Sequence, residues 1–483
     1  MDENKEITAA PETAEPKFRA GTLEYTKRGL FMLFVYLLWG DFCFTLMESV
    51  FPQITPLTMK NLGSNDFLIG LVMITIPNIF NAIVCPWVSF KSDRHRSKLG
   101  RRIPFLLYPT PAIALFLIMI GFSPDLGRFL GNTILHSTGW GTVAITLGLI
   151  AVFSAGFQYF NMFVGSVYYY LFNDVVPDEY LSRFMAAFRL VGLVAGALFN
   201  FVIFRYAESH MKWIFIGAGV LYFVAFMQMS LKVKEGEYPP PPEYVDGKQG
   251  VFSGLKTYFK ECFSHKFYWY FFLSTAFWEL TACIRPFDLL LQRQTLALTP
   301  GKIGMILGTA QIVTALFILP AGIFSDKHHP LRTTLWASVG LLILTPTRLV
   351  YLFHHFDPGT AFWVEFSLQM VLVPLNAIYT VSSLPMYMRI LPAERYGQFC
   401  SAQAMFRSSA NILFGTMAGG YMVLMKKLSA VHHMYPTYYY GFSPLWTWVL
   451  QIVAVIFLFQ LYKSWKERGG DESFTPPPVG VSE

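Results

Sequence analysis

Asp41 and Glu48 lie seven residues apart in an apolar run over residues 29–55, with Thr45 between them. Seven residues are almost two helical turns, so the three side chains share one helix face. A second set stands in the run 267–291, where Glu279 is followed by Arg285 and Asp288 at i,i+3 spacing. An ionisable side chain in such a segment is costly and faces either a partner or a wet cavity. Burial favours the neutral form of a carboxylate and a neighbouring cation the charged form. A carboxylate balanced between the two can carry a proton. The plainer reading is that Asp41 hydrogen-bonds a neighbouring helix and that Arg285 and Asp288 form a stabilising pair. Glu48 and Glu365 lie nearer the ends of their runs and read equally as gate or interface residues.

Uncharged polar residues repeat the pattern. Gln158 and Asn161 lie three apart, and Gln369 and Asn376 seven apart, each pair on one helix face; Asn78 and Asn81 do the same. Amides donate to and accept from hydroxyl groups, and they serve equally as glue between helices. Trp39 and Trp278 each adjoin one of the carboxylate sites and can stack on a ring. Most other aromatics, in a chain that is 17% aromatic, belong to packing or to a lipid surface.

The elements that must position these residues are membrane helices. The chain is 54% hydrophobic and 14% charged, with a mean hydropathy of +0.43, against about 25% charge in an ordinary soluble domain. Runs of roughly 20 apolar residues mark membrane spans. They fall near 29–55, 67–90, 104–122, 140–172, 183–205, 212–232, 267–291, 301–324, 332–353, 361–388, 398–424 and 443–463. The expected fold is therefore an all-α membrane protein of twelve transmembrane helices. Residues 1–28 read as a cytoplasmic tail without a cleavable signal, 233–266 as a linker with a proline run at 239–242, and 464–483 as an unordered tail. The halves are then 29–232 and 267–463.

The net charge of +7 gathers in loops and ends, which fits orientation by cationic cytoplasmic loops better than nucleic-acid binding. Lys91, Arg94, Arg96, Lys98, Arg101 and Arg102 stand within twelve residues between two spans, and they place that loop and both termini in the cytoplasm. The five cysteines lack metal-ligand spacing. The pairs His328-His329, His354-His355 and His432-His433 lie in loops, where adjacent residues do not share a helical face. No metal or other cofactor is expected. Neither a phosphate-cradling loop nor a nucleophile elbow is present, so neither an ATP-driven motor nor an intramembrane hydrolase is expected.

The two halves repeat. Ile69-Gly70 matches Ile303-Gly304, Pro86 matches Pro320, and Ser92-Asp93 matches Ser325-Asp326, at offsets of 233 or 234. Val176-Pro177-Asp178-Glu179-Tyr180 through Phe188-Arg189 is similar to Leu391-Pro392-Ala393-Glu394-Arg395 through Phe406-Arg407. Two parallel six-helix repeats are an arrangement in which a binding site falls between the halves near the bilayer midplane.

The loop Ser92-Asp93-Arg94, Ser97, then Gly100-Arg101-Arg102-Ile103-Pro104-Phe105 resembles that of sucrose-type carriers. These belong with the glycoside-cation symporters of the major facilitator superfamily. The second copy, Gly322 with Ser325-Asp326-Lys327, lacks the Gly-Arg-Arg. The resemblance implies a secondary transporter working by alternating access, with spans one, four, seven and ten around a cavity faced by Asp41 and Glu279. It implies a small polar solute, a sugar or glycoside, moved with H+ (or Na+), by a monomer in the inner membrane. It also implies a conformational latch at the cytoplasmic ends, carried here by Asp93, Arg94, Gly100, Arg101, Arg102, Asp326, Arg189 and Arg407. The chain departs from the sucrose-type pattern in having no charged residue in 140–172, where those carriers resemble one another in a basic residue. A nucleoside, organic-acid or drug carrier, and a non-transporting sensor of the same fold, are the alternatives.

Overall fold

The computed structural model describes residues 18–133, 141–238, 262–392, 395–431 and 437–478. Twelve long helices account for nearly all of it. In the first half they are α1 (Lys27–Asn61), α2 (Asp66–Arg94), α3 (Ile103–Asn132), α4 (Thr142–Val175), α5 (Asp178–Tyr206) and α6 (Met211–Lys232). In the second they are α7 (266–295), α8 (Pro300–His328), α9 (Pro330–Phe353), α10 (Pro358–Ile390), α11 (Tyr396–Val431) and α12 (Tyr438–Glu467). Among the described residues, ten are long and apolar enough to cross a bilayer. The other two are α7, interrupted by a 3-10 turn at Thr281–Ile284 and a π turn at Leu291–Thr295, and the more polar α11.

Local chemistry sets the ends. Thr26 accepts from the Gly29 amide to start α1, Asn65 from Leu68 to start α2, and Asp357 from Gly359 and Thr360 to start α10. Each satisfies donors that the first helical turn leaves open. Large apolar side chains such as Phe31, Leu319, Ile323 and Trp363 point outward and are exposed. On a chain of this composition that outer surface faces hydrocarbon, where only helices satisfy every backbone group internally.

Packing reproduces the sequence repeat. In the first half α1 packs on α5 and α6, α2 on α4, and α3 on α4 and α6; in the second α7 packs on α11 and α12, α8 on α10, and α9 on α10 and α12. Every pair has its counterpart six helices later. Between the halves α2 packs on α11 and α5 on α8, with α1 beside α7. The duplicated Ile-Gly explains the closest of these crossings. A Cβ on Gly304 of α8 would lie 2.1 Å from the Asn200 carbonyl oxygen of α5, and one on Gly70 of α2 would lie 3.1 Å from Gly419 Cα of α11. Only glycine lets the backbones approach this closely. α2 and α5 each make a π turn at the crossing, Leu71–Thr75 and Phe199–Ile203.

Two terminal regions are ordered, the second against expectation. Residues 18–25, within the stretch read as a cytoplasmic tail, form a small antiparallel hairpin of β1 (Phe18–Ala20) and β2 (Leu23–Tyr25). The segment after α12 is packed: a short helix α13 (Gly470–Ser473) follows, Arg332 pairs with Asp471 at 2.7 Å, and the Tyr268 hydroxyl donates to the Pro477 carbonyl at 2.7 Å. Phe474 fills the gap beside Phe267 and Trp465, which gives the tail an apolar anchor that its composition conceals. The linker's proline run, Glu394 of the matched motif and His432-His433 lie outside the described residues.

Candidate functional site: a cavity between the halves

Asp41 is 2% exposed in the middle of α1. Its Oδ1 receives a long hydrogen bond from Thr45 Oγ1 at 3.4 Å, while Oδ2 has no partner. Beside it opens a cavity of about 390 Å³ between the halves. The first half contributes Asp41, Phe44 and Thr45 of α1, Tyr169 of α4, and Phe188, Arg189, Gly192 and Leu193 of α5. The second contributes Gln311, Thr314 and Ile318 of α8, and Ala377, Thr380 and Val381 of α10. Its volume is at the lower end of the range for small-molecule sites, and its walls are apolar with few polar groups. Gly192 lies beside the carboxylate, and a Cβ there would make ordinary contact with Asp41 Oδ2 at 3.8 Å.

The cavity is shut at one end. Hydrogen bonds and ion pairs join the halves at or toward the end away from the 91–102 loop. There Lys60 Nζ donates to Asp66 Oδ1 at 2.8 Å and to the Tyr439 hydroxyl at 3.0 Å. The hydroxyls of Tyr439 and Tyr440 donate to Asp66 at 2.9 and 2.7 Å. Arg293 grips Glu208 through two hydrogen bonds of 2.6 and 2.8 Å. Thr75 and Thr416 share a 2.7 Å bond along the α2–α11 crossing. The Arg293 hydrogen bond holds the Glu208 carboxyl below its ordinary pKa.

At the loop end, Arg101 and Arg102 make polar contacts within the first half and to the linker that follows it. Arg101 binds Asp174 through Nε and Nη2, and Arg102 reaches Asp174 Oδ2 at 3.2 Å, Ser92 Oγ at 2.7 Å and Asp93 Oδ1 at 2.5 Å. Burial opposes the charge on Arg101, and the Asp174 contact outweighs it and raises the guanidinium pKa. Glu235, from the linker, accepts from the backbone amides of Arg101, Arg102 and Ile103 at 3.0, 2.7 and 2.6 Å. It thereby caps α3, whose N-terminus favours an anion. Gly100 has φ +107°, and a Cβ there would lie 2.6 Å from the Glu235 carboxylate. The Tyr238 ring lies 4.0 Å from the Arg101 guanidinium.

The remaining candidates fall into separate places. Asn161 donates to Glu48 at 2.5 Å, so those two meet across α1 and α4 while Gln158 makes no such contact. Glu279 pairs with Arg407 at 3.4 Å and is not among the residues lining the cavity. Arg407 therefore holds a partner within its own half in this arrangement, while its counterpart Arg189 lines the cavity. Trp278 stacks on Tyr379 at 4.1 Å and Trp39 on Phe42 at 6.0 Å. Arg94 lies over the Phe90 ring, and Asp326 is exposed.

The expected Arg285–Asp288 pair is corrected. Asp288 lies 3.6 Å from Arg348 and accepts from Ser443 at 2.6 Å, and among the described residues Arg285 has no ion-pair partner. Both residues lie in one helical stretch, Arg285–Leu290, so the spacing holds, but Asp288 is taken up by Arg348 and Ser443 from other helices. Arg348, in contrast, is paired. Its partner Glu365 is fully buried and accepts from Arg348 at 2.9 Å, Tyr351 at 2.7 Å, Gln292 at 3.0 Å and Gln369 at 3.0 Å. Gln369 is thus held by this cluster, and Asn376 by its own helix through the Leu372 carbonyl. The sequence reading missed Asp174, Glu235 and Gln311. Gln311 had a signal, as an amide inside an apolar span; Asp174 and Glu235, at a helix end and in a linker, had none.

Comparison with known proteins agrees with this architecture. Residues 164–415 match the Major Facilitator Superfamily profile. The chain belongs to that superfamily, a class of integral, multi-pass membrane transporters rather than enzymes. Within it, the chain is similar to sucrose transport proteins of plants. It is 40% identical over 77 residues to SUT5 of Oryza sativa subsp. indica, covering 16% of this chain and 14% of that one. It is 31% identical over 154 residues to SUT2 of the same subspecies, covering 29% of each. The matches thus span less than a third of these relatives' length. Among solved structures, a bacterial homologue of the human lysosomal transporter Spinster, inward-facing and occupied, superposes with a TM-score of 0.66 at 13% identity, covering 94% of this chain and all of that one. The D-xylose-proton symporter gives 0.62 at 11% identity, covering 89% and 97%. A point variant of the nucleoside transporter NupG gives 0.61 at 14% identity, covering 89% and 100%. At such identities the likeness is one of fold.

Proposed function

We propose that the chain is a secondary active transporter that carries a neutral polyhydroxylated solute, a sugar or glycoside, together with a proton. The observation that supports this most directly is that the buried Asp41 carboxylate and the Arg189 guanidinium, both of the first half, line one cavity between the halves. One anion and one cation leave the cavity without net charge, which suits a neutral solute. The similarity to sucrose transport proteins points to the same class. With the 91–102 loop in the cytoplasm, the closed end is the outer one, and the cavity is presented inward. Alternating access then requires the Asp66, Glu208 and Thr75 contacts to break as the loop end closes.

Proton coupling falls to Asp41. Its unpartnered oxygen is where a proton can be taken up as the solute arrives, with Arg189 lining the same cavity. Proteoliposomes with an imposed pH gradient test this, using labelled sugars, nucleosides and organic acids. Gradient-driven accumulation of a glycoside is expected. Asp41→Asn is expected to abolish accumulation while retaining exchange of labelled for unlabelled solute. Accumulation that persists in Asp41→Asn overturns the coupling role, and uptake of nucleosides without any glycoside overturns the solute class.

A further inference from the structure

The cavity holds more hydrogen-bond acceptors than the first half alone supplies. Gln311 Oε1, on α8, is buried without a partner, as is Asp41 Oδ2 on the facing wall. Two nearby hydroxyls already donate elsewhere: Thr314 to the Ala310 carbonyl and Thr380 to the Asn376 carbonyl, each at 2.8 Å. They therefore present oxygen lone pairs to the cavity. Arg189 and the Tyr169 hydroxyl are the donors on the opposite wall. A buried acceptor left empty is costly, and it discriminates strongly between a ligand that donates to it and one that does not.

Gln311 is also held in place. A Cβ on Gly196 of α5 would lie 2.6 Å from Gln311 Nε2, so the glycine makes the space in which the amide rests against the other half. Its oxygen rests against the same glycine, 2.8 Å from that Cβ, and is the buried amide atom without a hydrogen-bond partner.

Resting on the reading of this cavity as the solute site, we infer that Gln311 is a specificity-determining residue: its amide oxygen accepts a hydrogen bond from one solute hydroxyl while the Asp41 carboxyl binds another. The solute then bridges α1 of one half and α8 of the other. Its recognition depends on two hydroxyls at opposite edges, not on ring stacking alone.

The test compares uptake of the transported solute with that of analogues each lacking one hydroxyl, in proteoliposomes. In the wild type, the analogue lacking the hydroxyl that Gln311 reads is expected to lose roughly tenfold in kcat/KM, as a lost buried hydrogen bond implies. In Gln311→Met, which keeps side-chain length, the parent solute is expected to fall to the level of that analogue, closing the ratio to within about twofold. Gly196→Ala displaces only the far end of a flexible side chain and is expected to close the same ratio with an unchanged melting temperature. It decides the matter if Gln311→Met does not fold. Asp41→Asn is expected to leave that ratio intact in exchange assays. A ratio unchanged in both Gln311→Met and Gly196→Ala, or a wild type indifferent to every single deletion, overturns the inference. Uptake of nucleosides only overturns the glycoside reading, and the same comparison with deoxyribose analogues then judges Gln311 on its own. Absence of uptake of any solute overturns both.

Discussion

The two halves share a packing scheme and place their buried arginine clusters at opposite ends. In the first half, Arg102 (5% exposed) anchors a cluster at the loop end with Asp174, Asp93 and Ser92. At the matched place in the second half, Ser325 and Ser382 meet the Thr333 hydroxyl at 3.3 and 3.0 Å, and this cluster carries no charge. The second half instead buries Glu365 with Arg348 at the other end, where α9 and α10 meet. Duplication has preserved the backbone crossings at Gly70 and Gly304 and let the polar interior diverge. Close backbone contact tolerates no substitution, whereas a polar cluster needs only that its members satisfy one another.

The sharpest way to break this comparison is at Glu365. Removing one partner of a buried pair leaves an uncompensated charge, so Glu365→Ala is expected to cost about 3–5 kcal/mol, read as a lowered melting temperature in detergent. The double variant Glu365→Gln with Arg348→Met is expected to recover much of it. Arg102→Ala comes next, at about 2 kcal/mol for its charged hydrogen bonds, while Thr333→Val in the matched place costs about 1 kcal/mol. Equal costs at Arg102 and Thr333 would show that the two loop ends are not differently built.

The smallest effect belongs to Glu208–Arg293, which ties the halves at the closed end. The pair is partly exposed and is worth under about 1 kcal/mol after solvent screening. Because the folded-state pKa of Glu208 lies below its ordinary value of 4.5, the contribution is present above that value and fades as pH falls through the lower one. The melting-temperature gap between wild type and Glu208→Gln is expected at neutral pH and should vanish well below pH 4.5. A gap that persists there assigns the stabilisation to packing.

Much of the architecture was legible. Apolar runs marked the helices to within a few residues at most ends, and the Ile-Gly repeat marked the two crossings before their purpose was visible. Asp41 stood out because a carboxylate in an apolar run has few structural uses. Gln311 was less conspicuous, because an amide in a helix carries no charge to flag it, and its interest lies in the missing partner. The Arg348–Glu365–Asp288 cluster was beyond reach, since it joins three helices at sequence separations that no local spacing records.

The sequence by itself determined the membrane class, the helix order and the twofold repeat, because hydropathy and periodicity act residue by residue along the chain. Which carboxylate faces an open cavity and which is sealed in a salt bridge was decided by tertiary structure alone. Asp41 and Glu365 look alike in sequence, each an acid in an apolar run. Their roles diverge because Arg348 and three neutral donors converge on one, while the other meets only Thr45 and the space between two halves.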